Sequence, residues 1–350
     1  MTESDPRITL LRRIGEDIIN SVENQQFPTL ELSDRSTDNI RYDPISKCFK
    51  LGKSKVVRNS GNLRHVSSFS KLLWVASYTK RLLETGRTSS LRDLYYSSEA
   101  FGVEFKDQSE SDRMVSDLEC LTGLSREDLG IFPEEHSSIF GQVTMEYTVA
   151  GYEGKQIELT TSPDGLPIGP ALTTAELVET DANVVLAVES GGIFSRLIET
   201  RCWQKFGAVL VHLGGQAPRS TRSLIKRLHC DLDLPVYIFT DGDPWGLHIA
   251  RVIMAGSANA AHISDLAVPD AEWIGVTADD IEKYNLPTEK MSDSDLKRLD
   301  EIALDPRYQT GYWQNHITKF KELRRKAEQQ AFSRHGMDFV VDSYLPAKIT

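Results

Sequence analysis

The sequence predicts a multidomain α/β chain: an N-terminal extension, a basic helical domain closing in β structure, then an α/β domain with a mainly parallel sheet. Three observations carry this. A length of 350 residues exceeds what a single core usually serves. Between residues 68 and 121, apolar positions recur at helical spacing in three successive stretches. Beyond residue 180 they change to short, nearly unbroken apolar runs, each followed by a helical stretch, as buried parallel strands and their crossover helices do.

Composition narrows the classes. With 40% apolar and 26% charged residues the chain reads as an ordinary soluble protein. No apolar run reaches the ~18 residues that suggest a membrane span. The acidic N-terminus lacks a secretory core, so a cytoplasmic location is expected. Cys48, Cys120, Cys202 and Cys230 are widely spaced, without zinc-ligand spacing, and read as reduced, buried thiols. The net charge of −11 opposes polyanion binding, yet its distribution does not. From Lys47 to Arg92 there are eleven Lys/Arg residues and one acid, Glu84, which points to DNA contact through Lys53, Lys55, Arg58 and Arg64.

Taken in order, residues 7–25 place Leu11, Ile14, Ile18 and Val22 on one helical face, an amphipathic helix able to dock on its own subunit or on a partner. Short strands are expected near Cys48–Leu51 and Lys55–Arg58. A helix from about Ser68 ends at Gly86 as C-cap. Thr88, Ser89 and Ser90 offer N-caps for a helix over Leu91–Ser98, and Ser109 with Asp112 suggests a capping box for one over Gln108–Leu121. The β-rich stretch IFPEEHSSIFGQVTMEYTV follows. Three helices and then β structure is the order of a winged-helix (CAP-like) DNA-binding domain. The expected divisions are residues 1–66, 67–149 and 150–350. In the last, strands are predicted at Val184–Val188, Ala208–Val211 and Val236–Thr240, and later helices at Ser292–Leu304 and Tyr312–His335.

Ligand chemistry belongs at the C-terminal ends of such strands. The first ends in Glu189, followed by Ser190-Gly191-Gly192, and the third in Asp241-Gly242-Asp243-Pro244. Residues two apart in extended backbone point the same way, and Gly242 allows a tight turn between the two aspartates. Three repelling carboxylates need a cation, and oxygen-only donors suit Mg²⁺. A capped helix start would explain the DGDP segment alone; it does not explain the glutamate at a second strand end. The combination resembles the toprim domain of topoisomerases and primases, which implies that Glu189, Asp241 and Asp243 bind one or two Mg²⁺ ions.

The second helix of the basic domain carries Arg92 four residues before Tyr96, so both share one face. A phenol with a reference pKa of about 10 needs deprotonation and nearby positive charge to attack phosphate. Arg92 supplies a fixed charge that can grip phosphate bidentately. Tyr95 points roughly 100° away around the helix and is assigned to the core.

The segments RNSGNLRHVSSFSKLLWVASYTKRLLETGRTSSLRDLYY, QSESDRMVSDLE, REDLGIFPEE, VHLGGQAPRSTR, VYIFTDGDPWG and KAEQQAF resemble the archaeal topoisomerase VI A subunits, a family related to the meiotic double-strand-break transesterase. The resemblance runs from about residue 40. It implies double-stranded DNA as substrate, a 5′-phosphotyrosyl intermediate on Tyr96, and a homodimer in which Tyr96 of one protomer works beside the Mg²⁺ site of the other. It also implies a B subunit carrying a GHKL ATPase, two of each subunit per enzyme, with ATP required through B, and a place on the nucleoid. No ATP site is legible here: Gly52-Lys53-Ser54 lacks the earlier glycine of a P-loop, Lys47 standing in its place. Arg219 and Arg222 are expected on the DNA backbone, and His212 and His248 lie near the carboxylate edge. Two alternatives stay open, a transesterase that leaves breaks unsealed and a non-catalytic DNA-binding scaffold.

Overall fold

The computed structural model describes residues 5–134, 136–263 and 266–349. The chain forms two compact units. One runs to Arg41, resumes at Lys50, continues to Glu134 and takes in a short stretch from Ala258; the other takes Tyr42–Phe49 and the remainder.

The first unit opens with α1 (Pro6–Glu23), capped by the Asp5 carboxylate, which accepts from the Arg7 N–H at 2.9 Å. Leu11 is buried and Ile8, Ile14 and Ile18 pack on the unit's core, whereas Ile19 and Val22 stay exposed. Next along the chain come β1 (Thr29–Ser33), β2 (Ile40–Asp43), β3 (Cys48–Leu51) and β4 (Lys55–Asn59), with β1 antiparallel to β4 and β2 paired to β3. Helix α2 (Leu63–Thr85) starts ahead of the expected Ser68, because the Asn62 side chain accepts from the Arg64 N–H and so nucleates it earlier. Gly86 ends it in the left-handed conformation, φ +62°, where glycine avoids a Cβ clash. Then come β5 (Ser89–Ser90), α3 (Leu91–Ala100) and α4 (Gln108–Thr122). Asp107 rather than Ser109 caps α4, accepting from the Glu110 N–H at 2.8 Å. Leu72, Val75, Leu94, Leu118 and Leu129 are fully buried between these elements.

The β-rich stretch after α4 divides. Only β6 (Ile131–Phe132) stays with the helices, pairing parallel with β5. Strands β7 (Ser138–Phe140) and β8 (Val143–Glu146) belong to the second unit, whose core buries Ile139, Phe140, Val143 and Met145. Burial of that apolar side overrides the expected division at residue 149 and removes these strands from the helical domain.

In the second unit, β8 pairs with β9 (Gln156–Glu158) and β11 (Glu176–Thr180). The main sheet has β12 (Val184–Val188), β13 (Ala208–His212), β14 (Val236–Phe239) and β15 (Glu272–Gly275) in parallel, with β7 antiparallel to β13 and β10 (Leu166–Pro167) antiparallel to β7 at one edge. Val185, Leu186, Ala187 and Val188 are all fully buried, which is why β12 reads as an unbroken apolar run. Helix α5 (Pro170–Thr174) precedes the parallel strands; α6 (Gly191–Glu199), α7 (Cys202–Phe206), α8 (Arg219–Leu232) and α9 (Pro244–Ala255) follow β12, β13 and β14, and α10 (Ala278–Lys283) follows β15.

Helix α11 (Asp293–Leu304) matches expectation; the helix expected over Tyr312–His335 forms only as far as Leu323. Helix α12 (Gly311–Leu323) stops where Arg324 adopts φ +53° and its N–H closes on Phe320. Beyond it, β17 (Arg325–Lys326) pairs with β16 (Glu289–Lys290), and Ala327 exchanges two backbone hydrogen bonds with Gly242, at 2.8 and 3.2 Å. These backbone partners, distant in sequence, replace those that a continued helix would have supplied. Of the four cysteines expected to be buried, only Cys202 is; Cys48 and Cys120 are half-buried and Cys230 is exposed. Among the described residues no helix is long and apolar enough to cross a membrane.

Candidate active site

Helix α3 presents the predicted nucleophile. Ser90 and Asp93 form a reciprocal capping box: the Asp93 N–H donates to Ser90 Oγ at 3.0 Å and the Ser90 N–H to Asp93 Oδ2 at 3.2 Å. Leu94 and Ser98 face inward, which turns Tyr96 outward, and the residue is 55% exposed. The Arg92 guanidinium lies 5.8 Å from the Tyr96 ring centre. Tyr95 packs against the helical core, with its ring edge-on to Tyr96 at 5.3 Å. Ser90→Ala should lower stability by about 1 kcal/mol, read as a lower denaturation midpoint; an unchanged midpoint would mean the box contributes nothing.

In the second unit, β12 and β14 are neighbours, so Glu189 and Asp241 emerge at one sheet edge. Glu189 Oε2 accepts from the Asp241 N–H at 2.9 Å. Asp241 Oδ1 accepts from the Gln329 N–H at 2.8 Å, and Asp243 caps α9 by accepting from the Gly246 N–H at 2.7 Å. Gly246 has no room for a side chain, since a Cβ would lie 2.1 Å from the Asp241 carbonyl oxygen. Each hydrogen bond engages one carboxylate oxygen. Among the described residues no three His, Cys, Asp or Glu side chains already converge as ligands around one point; the carboxylates share an edge rather than a closed cage.

The electrostatics describe an edge with too little positive charge. Burial, then the Asp241 charge, pushes the Glu189 carboxyl up to about 7, with Asp243 and Glu328 adding to it. Burial likewise raises Asp241 to about 6 against the Gln329 hydrogen bond, with Asp243 and Glu328 again contributing. Asp243 is raised by burial, which outweighs the Gly246 and Trp245 N–H groups and the Lys326 charge. This buried, oxygen-only donor set fits a hard divalent cation, whose charge would relieve the repulsion. A cavity of about 420 Å³ opens here, lined by Asp241, Asp243, Lys326, Glu328, Gln330 and Ser333 among others.

The segment from Lys326 to Gln330 is the part of the site that sequence reasoning missed. It lies in the KAEQQAF motif but was expected inside a long helix rather than at the carboxylates. Burial lowers the pKa of His212, opposed by the nearby Glu189 backbone. His248 is pushed down to about 4 by burial and then by Arg298 and Arg307. Neither histidine belongs to a ligand cluster among the described residues.

The basic residues separate. Lys53 and Arg64 are exposed; Lys55 is exposed and ion-paired with Glu31. Arg58 is not a free surface cation: it pairs with Asp117, which Arg35 also grips at 3.0 Å, and donates to the Ser68 carbonyl. Arg222 is 6% exposed within α8, so the expectation of phosphate contact gives way to burial, and Arg219 is half-buried at the start of that helix.

The chain is similar to known proteins along its whole length. The family described as "Type IIB DNA topoisomerase" matches residues 67–131, and the toprim domain of the topoisomerase 6 A subunit and Spo11 matches residues 184–349. Proteins named as the A subunit of type 2 DNA topoisomerase 6 are similar along the whole chain. The one from Methanothermobacter thermautotrophicus is 41% identical over 100% of this chain and 98% of its own. That from Halobacterium salinarum is 39% identical over 99% and 96%, and that from Archaeoglobus fulgidus 37% over 96% and 95%.

Proposed function

The chain belongs to the type IIB DNA topoisomerase family as a cleavage-type A subunit, and from that premise we propose that it cuts and reseals duplex DNA with Tyr96 as nucleophile and Glu189, Asp241 and Asp243 as holders of Mg²⁺. The observation that carries this reading is the exposed Tyr96 beside a guanidinium, on a helix fixed by its own capping box.

The Tyr96 phenol oxygen attacks phosphorus, its bond to phosphorus forms, and the bond to the 3′ oxygen breaks. The phenolic proton ends on that leaving oxygen. One phosphoester replaces another, leaving a 5′-phosphotyrosyl link, so resealing runs backward without an added energy source. Arg92 holds the phosphate and stabilises charge developing on its oxygens. Glu189 and Asp241 give up the protons that burial favours when they serve as ligands. When bound, Mg²⁺ supplies positive charge to the phosphate and the leaving oxygen. Because the cut conserves its bond energy, resealing itself needs no ATP; as the resemblance implies, ATP would act on a B subunit, and two A and two B subunits would pass one duplex through another, relaxing supercoils and unlinking circles.

The test is the chain with a B subunit, Mg²⁺, a nucleotide analogue and plasmid DNA. Denaturant-stable protein–DNA adducts at 5′ ends are expected; no adducts under any of these conditions would sink the reading. Relaxation by this chain alone would overturn the need for B.

A pH dependence follows from the same carboxyls. Their raised pKa values mean that the folded chain binds protons more tightly than the unfolded one. Without metal, stability therefore falls as pH rises from the ordinary carboxylate range through about 7. Melting in a chelator should show that decline. Mg²⁺ should raise the melting temperature more near about pH 8 than near about pH 5.5; equal increments at both would contradict the assignment.

A further inference from the structure

We infer that Gln329 is a positioning residue that holds Asp241 in place relative to Glu189 and thereby sets the chain's affinity for a divalent cation. The inference rests on the reading that these carboxylates bind the ion. Gln329 is fully buried. Its backbone N–H donates to Asp241 Oδ1 at 2.8 Å, its Oε1 accepts from the Ser190 N–H at 2.8 Å, and its Nε2 donates to the Phe239 carbonyl at 2.9 Å. Ser190 directly follows Glu189, and Phe239 stands two residues before Asp241. One residue thus touches both acidic strand ends and one of the carboxylates.

The register explains why such a residue is needed. The β12–β14 ladder ends at Val188 opposite Phe239; beyond it the Glu189 N–H donates to the Phe239 carbonyl at 3.0 Å and the Asp241 N–H reaches the Glu189 side chain, Oε2, at 2.9 Å. No backbone-to-backbone rung between β12 and β14 follows among the described residues, and the acids at the strand ends repel one another. The Gln329 amide spans the gap as a peptide unit would, taking a donor from one strand end and offering one to the other. Gln329 is fixed in turn by the two Ala327–Gly242 backbone bonds, while Gln330 Nε2 donates to Ser190 Oγ at 2.6 Å. A buried amide is costly unless its groups are all paired, and here each side-chain polar atom has a partner. An apolar side chain would fill the space without linking the strand ends.

The test reads metal alone, on the full-length chain without DNA or B subunit. Mn²⁺ serves as a paramagnetic probe, its binding followed by electron spin resonance. Gln329→Met keeps the volume and loses both side-chain bonds; Gln329→Asn stays polar but falls short of both partners. Each should weaken Mn²⁺ binding by about tenfold or more while unfolding cooperatively in a chelator. In the reconstituted enzyme the Mg²⁺ requirement for cleavage should rise by more than the maximal rate falls. Folded variants that bind Mn²⁺ within about twofold of the original chain overturn the proposal. Failure of both variants to fold, even with saturating Mn²⁺, overturns it too, by assigning Gln329 to the core. Asp241→Asn separates the two ideas. If it binds Mn²⁺ like the original chain, the carboxylate reading itself fails; if it loses binding while the Gln329 variants keep it, only this inference fails.

Discussion

Tyr96→Phe is expected to lower DNA cleavage by about a thousandfold or more, while DNA binding and thermal stability stay close to those of the original chain. The substitution removes one oxygen from a residue that is 55% exposed and so costs the fold little. The ring keeps its edge-on contact with Tyr95 and its place beside Arg92. Nothing in the helical core changes, so a loss of cleavage would report chemistry rather than folding. Tyr95→Phe should cut nearly normally, because its ring packs on the core. Arg92→Lys should fall between them, since a single ammonium cannot make the planar two-point contact of a guanidinium. Adducts that persist in Tyr96→Phe and vanish in Tyr95→Phe would reverse the assignment.

The second large effect is at the sheet edge. Asp241→Asn should reduce cleavage by about a hundredfold or more, yet raise stability in a chelator at alkaline pH. Asparagine retains an oxygen that can accept from the Gln329 N–H, so the local geometry survives. What disappears is a buried charge that pushes Glu189 upward, the largest influence on it after burial. Glu189 then ionises with less opposition, and the metal-free chain loses less stability as pH rises. Parallel melts of the two proteins at about pH 8, with and without Mg²⁺, decide it. A variant less stable than the original in the chelator would show that the Asp241 charge is compensated, and that repulsion does not govern this edge.

What could be read from the sequence was whatever short-range pattern controls. The stripe of α1, the apolar runs of β12, β13 and β14, the Gly86 stop and the Ser90 cap all follow from spacing within a few residues. Pairing across long separations escaped. Arg58 counted as one more cation in a basic segment because Asp117 lies 59 residues away and only the fold joins them. Arg222 likewise looked like a surface charge on a polar helix face. Strands β7 and β8 were grouped with the helices before them because adjacency in sequence was the available guide. The carboxylates were found because strand ends can be located from apolar runs. Gln329 was not, because its function depends on a helix stopping at Arg324, and the residues after that break take their partners from β16 and Gly242.

That break also sets a timetable. Asp241 meets Glu189 across 52 residues and Gln329 across 88, so the second closure waits until the chain has been synthesised well past residue 329. A chain emerging from the ribosome can form the parallel strands and expose both acids before the residue that bridges their ends exists. On this ordering, a nascent chain stalled short of α12 would carry Tyr96 and the acids but not the residue that spans their strand ends. The contact that links the two acidic strand ends is thus laid down only after residue 329 has been made, long after both acids.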